Sequence, residues 1–130
     1  MAPMNRVAYA TIQDYLDAIA DNPACKGSID NSSHGRFWSV DYRQFVSGTV
    51  PNEDCGGLAI AITDLDPNKC PFYQALKNPA GWCSLGQMPL QGPFITDSGF
   101  TVTLKDGSAI SGPDIDANIV WWLTNKMPEI

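Results

Sequence analysis

A mainly α-helical single domain, with one short β-hairpin ahead of its last helix, is the fold this sequence predicts. Three observations carry it. Ile12, Tyr15, Leu16 and Ile19 recur at helical spacing, Ile115, Ile119, Trp122 and Leu123 share one helical face, and between them apolar and polar residues alternate around Asp106-Gly107. A chain of 130 residues with 44% apolar and 17% charged residues supports one core spanning 1–130, and no break in composition marks a second unit.

The first helix is expected over 11–21, with Thr11 and Asp14 spaced as a capping box and Asn22-Pro23 as the stop. Residues 23–33 have loop composition and lead to the only histidine, His34. A second, short helix is expected from about Ser39, turning Tyr42, Phe45 and Val46 inward and ending at Gly48. Leu58 to Ile62 reads as an extended core segment. A third helix is expected over 67–77, with Pro67 in its first turn, Cys70, Tyr73 and Leu76 on one face, and Asn78-Pro79 after it. Residues 78–98 are rich in Gly and Pro and read as an irregular, surface-reaching loop that carries Met88. The hairpin over 100–110 follows, and Ser111-x-x-Asp114 then caps a final helix that runs to about Lys126, with Pro128 beyond it.

No apolar run approaches the roughly 20 residues that span a bilayer. A net charge of −6 with eight Lys and Arg repels phosphate backbones, so nucleic acid is not an expected partner. Four cysteines, Cys25, Cys55, Cys70 and Cys83, lack Cys-x-x-Cys spacing, which disfavours zinc. An even count in a small Gly- and Pro-rich domain fits an exported, disulfide-stapled protein, secreted or periplasmic. Three pairings are open; loop order favours Cys25 with Cys55 and Cys70 with Cys83, and the alternative is four buried thiols. The opening Met-Ala-Pro-Met has neither the basic nor the apolar region of a signal peptide, so an exported form implies that the signal has been removed.

Chemistry centres on Ser33-His34-Gly35-Arg36-Phe37-Trp38, followed by Tyr42-Arg43-Gln44-Phe45-Val46 and, much later, Gln87-Met88-Pro89 with Gly92-Pro93. This order, closed by a Trp-containing helix, resembles the c-type cytochrome domain across residues 9–127, and more closely a little-characterised cytochrome-like group with His-Gly-x-Phe-Trp and Met-Pro motifs. The resemblance implies a cytochrome-c-like helical fold with His34 and Met88 where haem ligands stand. In c-type cytochromes Cys-x-x-Cys-His tethers the haem; here Asp30 and Ser33 occupy the tethering positions, so the resemblance implies a domain without covalent haem.

Three readings of His34 follow. In the first, haem has been lost, His34 holds its loop by hydrogen bonds and Met88 fills space. An aromatic cleft formed by Phe37, Trp38, Trp82, Met88, Phe94 and Trp122 then receives a small apolar molecule or a partner protein, with no cofactor. In the second, His34 and Met88 bind non-covalent haem or copper, a copper site needing Met4, Met127 or a reduced cysteine as well. In the third, His34 is a general acid or base in an isomerase or cyclase type of enzyme acting on an apolar substrate, assisted by Asp30, Arg36, Asp41 or Tyr42. No Gly-x-Ser-x-Gly elbow is present, and one histidine cannot build the usual metallohydrolase cluster. Asp64-x-Asp66-x-Asn68 opens like a calcium loop, but Lys69 stands at the turn glycine and Ala75 at the bidentate glutamate, so capping and solvation account for it better. Asp114 and Asp116 offset the dipole of the final helix, and the adjacent Trp121 and Trp122 point to different sides of it.

Overall fold

The computed structural model describes residues 7–27, 29, 36, 38–47, 66–67, 70–78, 87–89 and 92–130. Among them are four α-helices, α1 (Tyr9–Asp21), α2 (Tyr42–Ser47), α3 (Pro71–Lys77) and α4 (Gly112–Thr124), a 3-10 turn (Pro23–Cys25), and strands β1 (Thr101–Thr103) and β2 (Ala109–Ser111). The expected segment from Leu58 to Ile62, the helix stop at Gly48, and Asp64, Asn68 and Lys69 lie outside the described residues. No helix among the described residues is long and apolar enough to cross a membrane.

Each helix starts where local chemistry permits. α1 begins two residues before the expected Thr11. Thr11 is its third residue, and its hydroxyl accepts the Ala8 N–H at 3.2 Å, so it satisfies an orphan donor from inside the helix instead of capping from outside. α2 begins at Tyr42 and not near Ser39, because the Asp41 carboxylate accepts the Gln44 N–H at 2.8 Å and the Asp41 carbonyl accepts from Phe45 at 3.0 Å. α3 begins at Pro71 and not Pro67: the residue before a proline is kept out of helical geometry, and Cys70 is extended, with φ −86° and ψ 115°. α4 begins at the expected cap, with Ser111 Oγ accepting the Asp114 N–H at 3.2 Å. It ends at Thr124, where Lys126 turns left-handed (φ 68°) and Met127 N–H donates to Trp122 O at 2.8 Å, a Schellman closure.

The hairpin pairs Thr101 with Ser111, Val102 with Ile110 and Thr103 with Ala109. Its turn is closed by Gly107 N–H on Leu104 O at 2.9 Å, with Gly107 at φ 89°. That positive φ is why glycine follows aspartate there. Ser111 ends β2 and caps α4 at once, so strand and helix join with no linker. Gly112 makes this junction possible. Its N–H donates to Phe100 O at 2.9 Å, and a Cβ at this position would overlap the Ile95 carbonyl.

The core is aromatic at its centre. Trp122 on α4 is fully buried, and its ring meets one aromatic from each of the other helices: Tyr9 of α1 at 6.4 Å, Phe45 of α2 at 6.0 Å and Phe72 of α3 at 6.4 Å. Trp121, its neighbour, is only half-buried, as adjacent positions on a helix require. Around this centre Ile12, Leu16, Ile19, Ile115 and Ile119 supply the aliphatic layer.

Two expectations are corrected. The segment around Met88 does not reach the surface: Gln87, Met88 and Pro89 are buried. They close the end of α3, with Met88 N–H on Ala75 O at 2.7 Å and Gln87 Nε2 donating to Leu76 O at 2.7 Å and Thr96 Oγ1 at 2.9 Å. These bonds satisfy carbonyls that a helix end leaves open, and doing so from the interior requires burial of the segment. The expected Cys25–Cys55 and Cys70–Cys83 disulfides are not seen. Cys25 is a buried thiol whose Sγ donates toward Ala20 O at 3.3 Å and Ile19 O at 3.7 Å, capping the end of α1. Cys70 is a buried thiol at the start of α3, and Cys55 and Cys83 lie outside the described residues.

Truncating Trp122→Ala empties the meeting point of four helices and is expected to cost about 3–5 kcal/mol of unfolding free energy, read as a lower urea midpoint. Gly112→Ala is expected to cost about 3 kcal/mol by forcing β2 and α4 away from Ile95. A variant within 0.5 kcal/mol of wild type would show that the Gly112 junction tolerates a side chain.

Candidate functional site

The described residues nearest His34 in sequence, Arg36 and Trp38, are fixed to the polar face of α1. Asp17 is the hub. Its Oδ1 accepts the Trp38 indole N–H at 2.8 Å and lies 3.3 Å from Arg36 Nη1, while its Oδ2 lies 3.1 Å from Lys105 Nζ in the hairpin turn. Arg36 Nη2 also bonds Asp21 Oδ1 at 2.5 Å, one helical turn further on. One carboxylate therefore joins α1, the 36–38 stretch and the hairpin. Burial alone would raise the Asp17 pKa, but the Trp38 N–H, the Lys105 ammonium and the Arg36 guanidinium outweigh it and hold the carboxyl below its ordinary value.

One turn back on the same helix, two side chains hold the carbonyls that follow. The Tyr9 hydroxyl proton is shared between Val40 O at 2.6 Å and Trp38 O at 3.0 Å, and Gln13 Nε2 donates to Trp38 O at 2.9 Å. Burial, then the Asp41 carboxylate, push the Tyr9 phenol up to about 12, only partly offset by Gln13. The phenol therefore stays protonated and remains a donor at neutral pH.

The expected catalytic set is placed as follows. Arg36 is engaged by Asp17 and Asp21. Asp41 caps α2. The Tyr42 hydroxyl donates to Met127 O at 2.6 Å. His34, Asp30 and Ser33 lie outside the described residues.

Of the expected ligand-binding set, Trp38 and Trp122 are 0% exposed and Met88 is 7% exposed, all within one buried cluster. Phe94 is half-buried, its N–H donating to Asp97 Oδ2 at 2.8 Å. Phe37, Trp82 and Met4 lie outside the described residues. Met127, the other suggested copper donor, is buried in the core. Among the described residues no three His, Cys, Asp or Glu side chains group as a metal site.

The structure brings Tyr42 and Trp122 together around Tyr9, whose ring lies 5.7 Å from Tyr42 and 6.4 Å from Trp122. Tyr9, Gln13 and Asp17 were absent from the sequence-based site. Their signal was a polar stripe, Gln13, Asp17 and Asp21, repeating every four residues on a helix whose other face is apolar. Elsewhere, burial and the carboxylate of Asp116, which accepts from its hydroxyl, raise the pKa of Tyr73, tying α3 to α4. Compared with known protein families, curated proteins and solved structures, the chain matches none.

Asp17→Asn breaks both ion pairs while keeping the side-chain shape, and is expected to cost about 1–2 kcal/mol near neutral pH. Because the folded pKa of Asp17 is depressed, its contribution is complete above the unfolded value of about 3.9 and fades as pH falls through the lower folded value. The stability gap between wild type and variant should thus be flat from neutral pH down to about 5 and close below about 4, measured by urea unfolding across pH.

Proposed function

We propose that this protein is a haem-free binding or interaction module, cytochrome-c-like in the order of its helices, whose recognition loop carries His34. The observation that carries this reading is the engagement of the residues around it. Arg36, Asp41 and Tyr42, the described side chains closest in sequence that would serve an acid–base reaction, each hold a structural partner: two carboxylates of α1, the start of α2 and the Met127 carbonyl. A recognition loop needs only firm anchorage, and Arg36, Trp38 and Val40 supply three anchor points on α1. Met88 in the buried cluster supports packing as its role. The partner class is a small apolar molecule or a partner protein, in a secreted or periplasmic setting.

The test is absorption and native mass spectrometry on protein purified from its own source, followed by titration with haemin and with copper(II). No Soret band, no difference between wild type, His34→Ala and Met88→Ala in either titration, and a co-purifying apolar molecule or protein lost in His34→Ala are expected. A Soret band in the native protein, abolished in His34→Ala, would sink the reading. His34→Ala itself should fold, with a urea midpoint close to that of wild type; free-thiol counting on the same sample reads the compartment.

A further inference from the structure

The tip of the hairpin carries a reactive pair, Asp106-Gly107. An aspartate followed by glycine is prone to cyclise, because no side chain hinders the glycine amide nitrogen from reaching the aspartate carboxyl carbon. Both residues are exposed, and a Cβ placed on Gly107 would meet nothing within 4 Å. Neither burial nor a crowding side chain shields them.

Hydrogen bonds hold both reacting groups instead. Asp106 Oδ1 accepts the Ser108 hydroxyl at 2.6 Å and the Ser108 N–H at 2.8 Å. These two bonds, the hydroxyl's first, favour the ionised carboxylate and hold it below the usual carboxylate range. Cyclisation consumes the protonated acid, since an ionised carboxylate would have to expel oxide. The nucleophile is engaged as well: Gly107 N–H donates to Leu104 O at 2.9 Å, beside the Leu104 N–H on Ser108 O at 2.7 Å that closes the loop. Lys105, on the other flank, is tied to α1 by its N–H on Asp14 Oδ1 at 3.4 Å and its ammonium on Asp17 Oδ2 at 3.1 Å.

We infer that Asp106-Gly107 is a latent isoaspartate site which the closed hairpin protects, with Ser108 as its guard. When the turn opens, the Gly107 amide nitrogen bonds to the Asp106 carboxyl carbon, the carbon–oxygen bond breaks, and the departing oxygen leaves as water with the amide proton. Water then adds to either carbonyl of the cyclic imide. One opening restores aspartate; the other routes the main chain through the side-chain carbon, giving isoaspartate with no change in oxidation state. Isoaspartate at this position therefore marks chains whose hairpin has opened. The inference stands apart from the interaction-module reading, since it uses neither His34 nor Met88.

The experiment ages the full chain near neutral pH and counts isoaspartate at position 106 by proteolysis and electron-transfer mass spectrometry. The capped peptide Leu-Lys-Asp-Gly-Ser-Ala, copying residues 104–109, and the full chain unfolded in guanidinium chloride serve as unprotected references. The folded chain should isomerise at least tenfold more slowly than either. Ser108→Ala should accelerate it several-fold with the far-UV circular dichroism unchanged, and Ser108→Thr, which keeps the hydroxyl, should return it to the wild-type rate. A folded wild type that isomerises as fast as the peptide overturns the inference, and so does a Ser108→Ala chain that ages at the wild-type rate. Equal acceleration in Ser108→Thr would show that the hydroxyl is not the guard. Unfolding of Ser108→Ala would also overturn it, because a side chain that guards only an exposed turn does not hold the fold.

Discussion

Burial of the Trp122 indole is the interaction on which the rest of the structure depends. Removing one indole from water hides roughly 200 Å² of apolar surface, on the order of 5 kcal/mol. Here that surface is shared among Tyr9, Phe45 and Phe72, so no two helices can separate from it independently. The short helices need this. α2 has six residues and α3 seven, lengths at which an isolated helix does not hold in water, and each gains its order by contributing one aromatic to the common centre. The indole N–H still needs an acceptor once buried, and the chain beyond α4 provides it through Pro128 O. Packing at the centre and the course of the following segment are thus one problem with one solution.

The polar side of α1 performs a different task. Gln13, Asp17 and Asp21, with Tyr9 at the helix start, take hold of the 36–40 stretch through its carbonyls, the Trp38 indole and the Arg36 guanidinium. Trp38 could not be buried without a partner for its N–H, and Asp17 could not be half-buried without cations; each makes the other's position affordable. Arg36 is thereby fixed as an anchor on α1.

Much of the fold was legible because it follows from local rules. The apolar stripe of α1, the Ser111 cap of α4, the Asp106-Gly107 turn and the split environments of Trp121 and Trp122 all depend on residues within a few positions of one another. The start of α3 also follows from a local rule, the steric effect of Pro71 on Cys70. The candidate site was less legible. Trp38, Trp122 and Met88 carry the same residue signature whether they line a cleft or fill a core, and only their neighbours in space decide which.

The sequence by itself determined the helical periodicity of α1 and α4, the Ser111 cap, the hairpin turn and the net negative charge. Tertiary structure alone decided that Gln87 and Met88 close α3 from inside, that Cys25 caps α1 as a thiol, and that Tyr42 reaches across 85 positions to Met127. The reason is the same in each case. A buried donor or acceptor must find a partner, but which partner is determined by the packing of distant segments, information that no local pattern of residues contains.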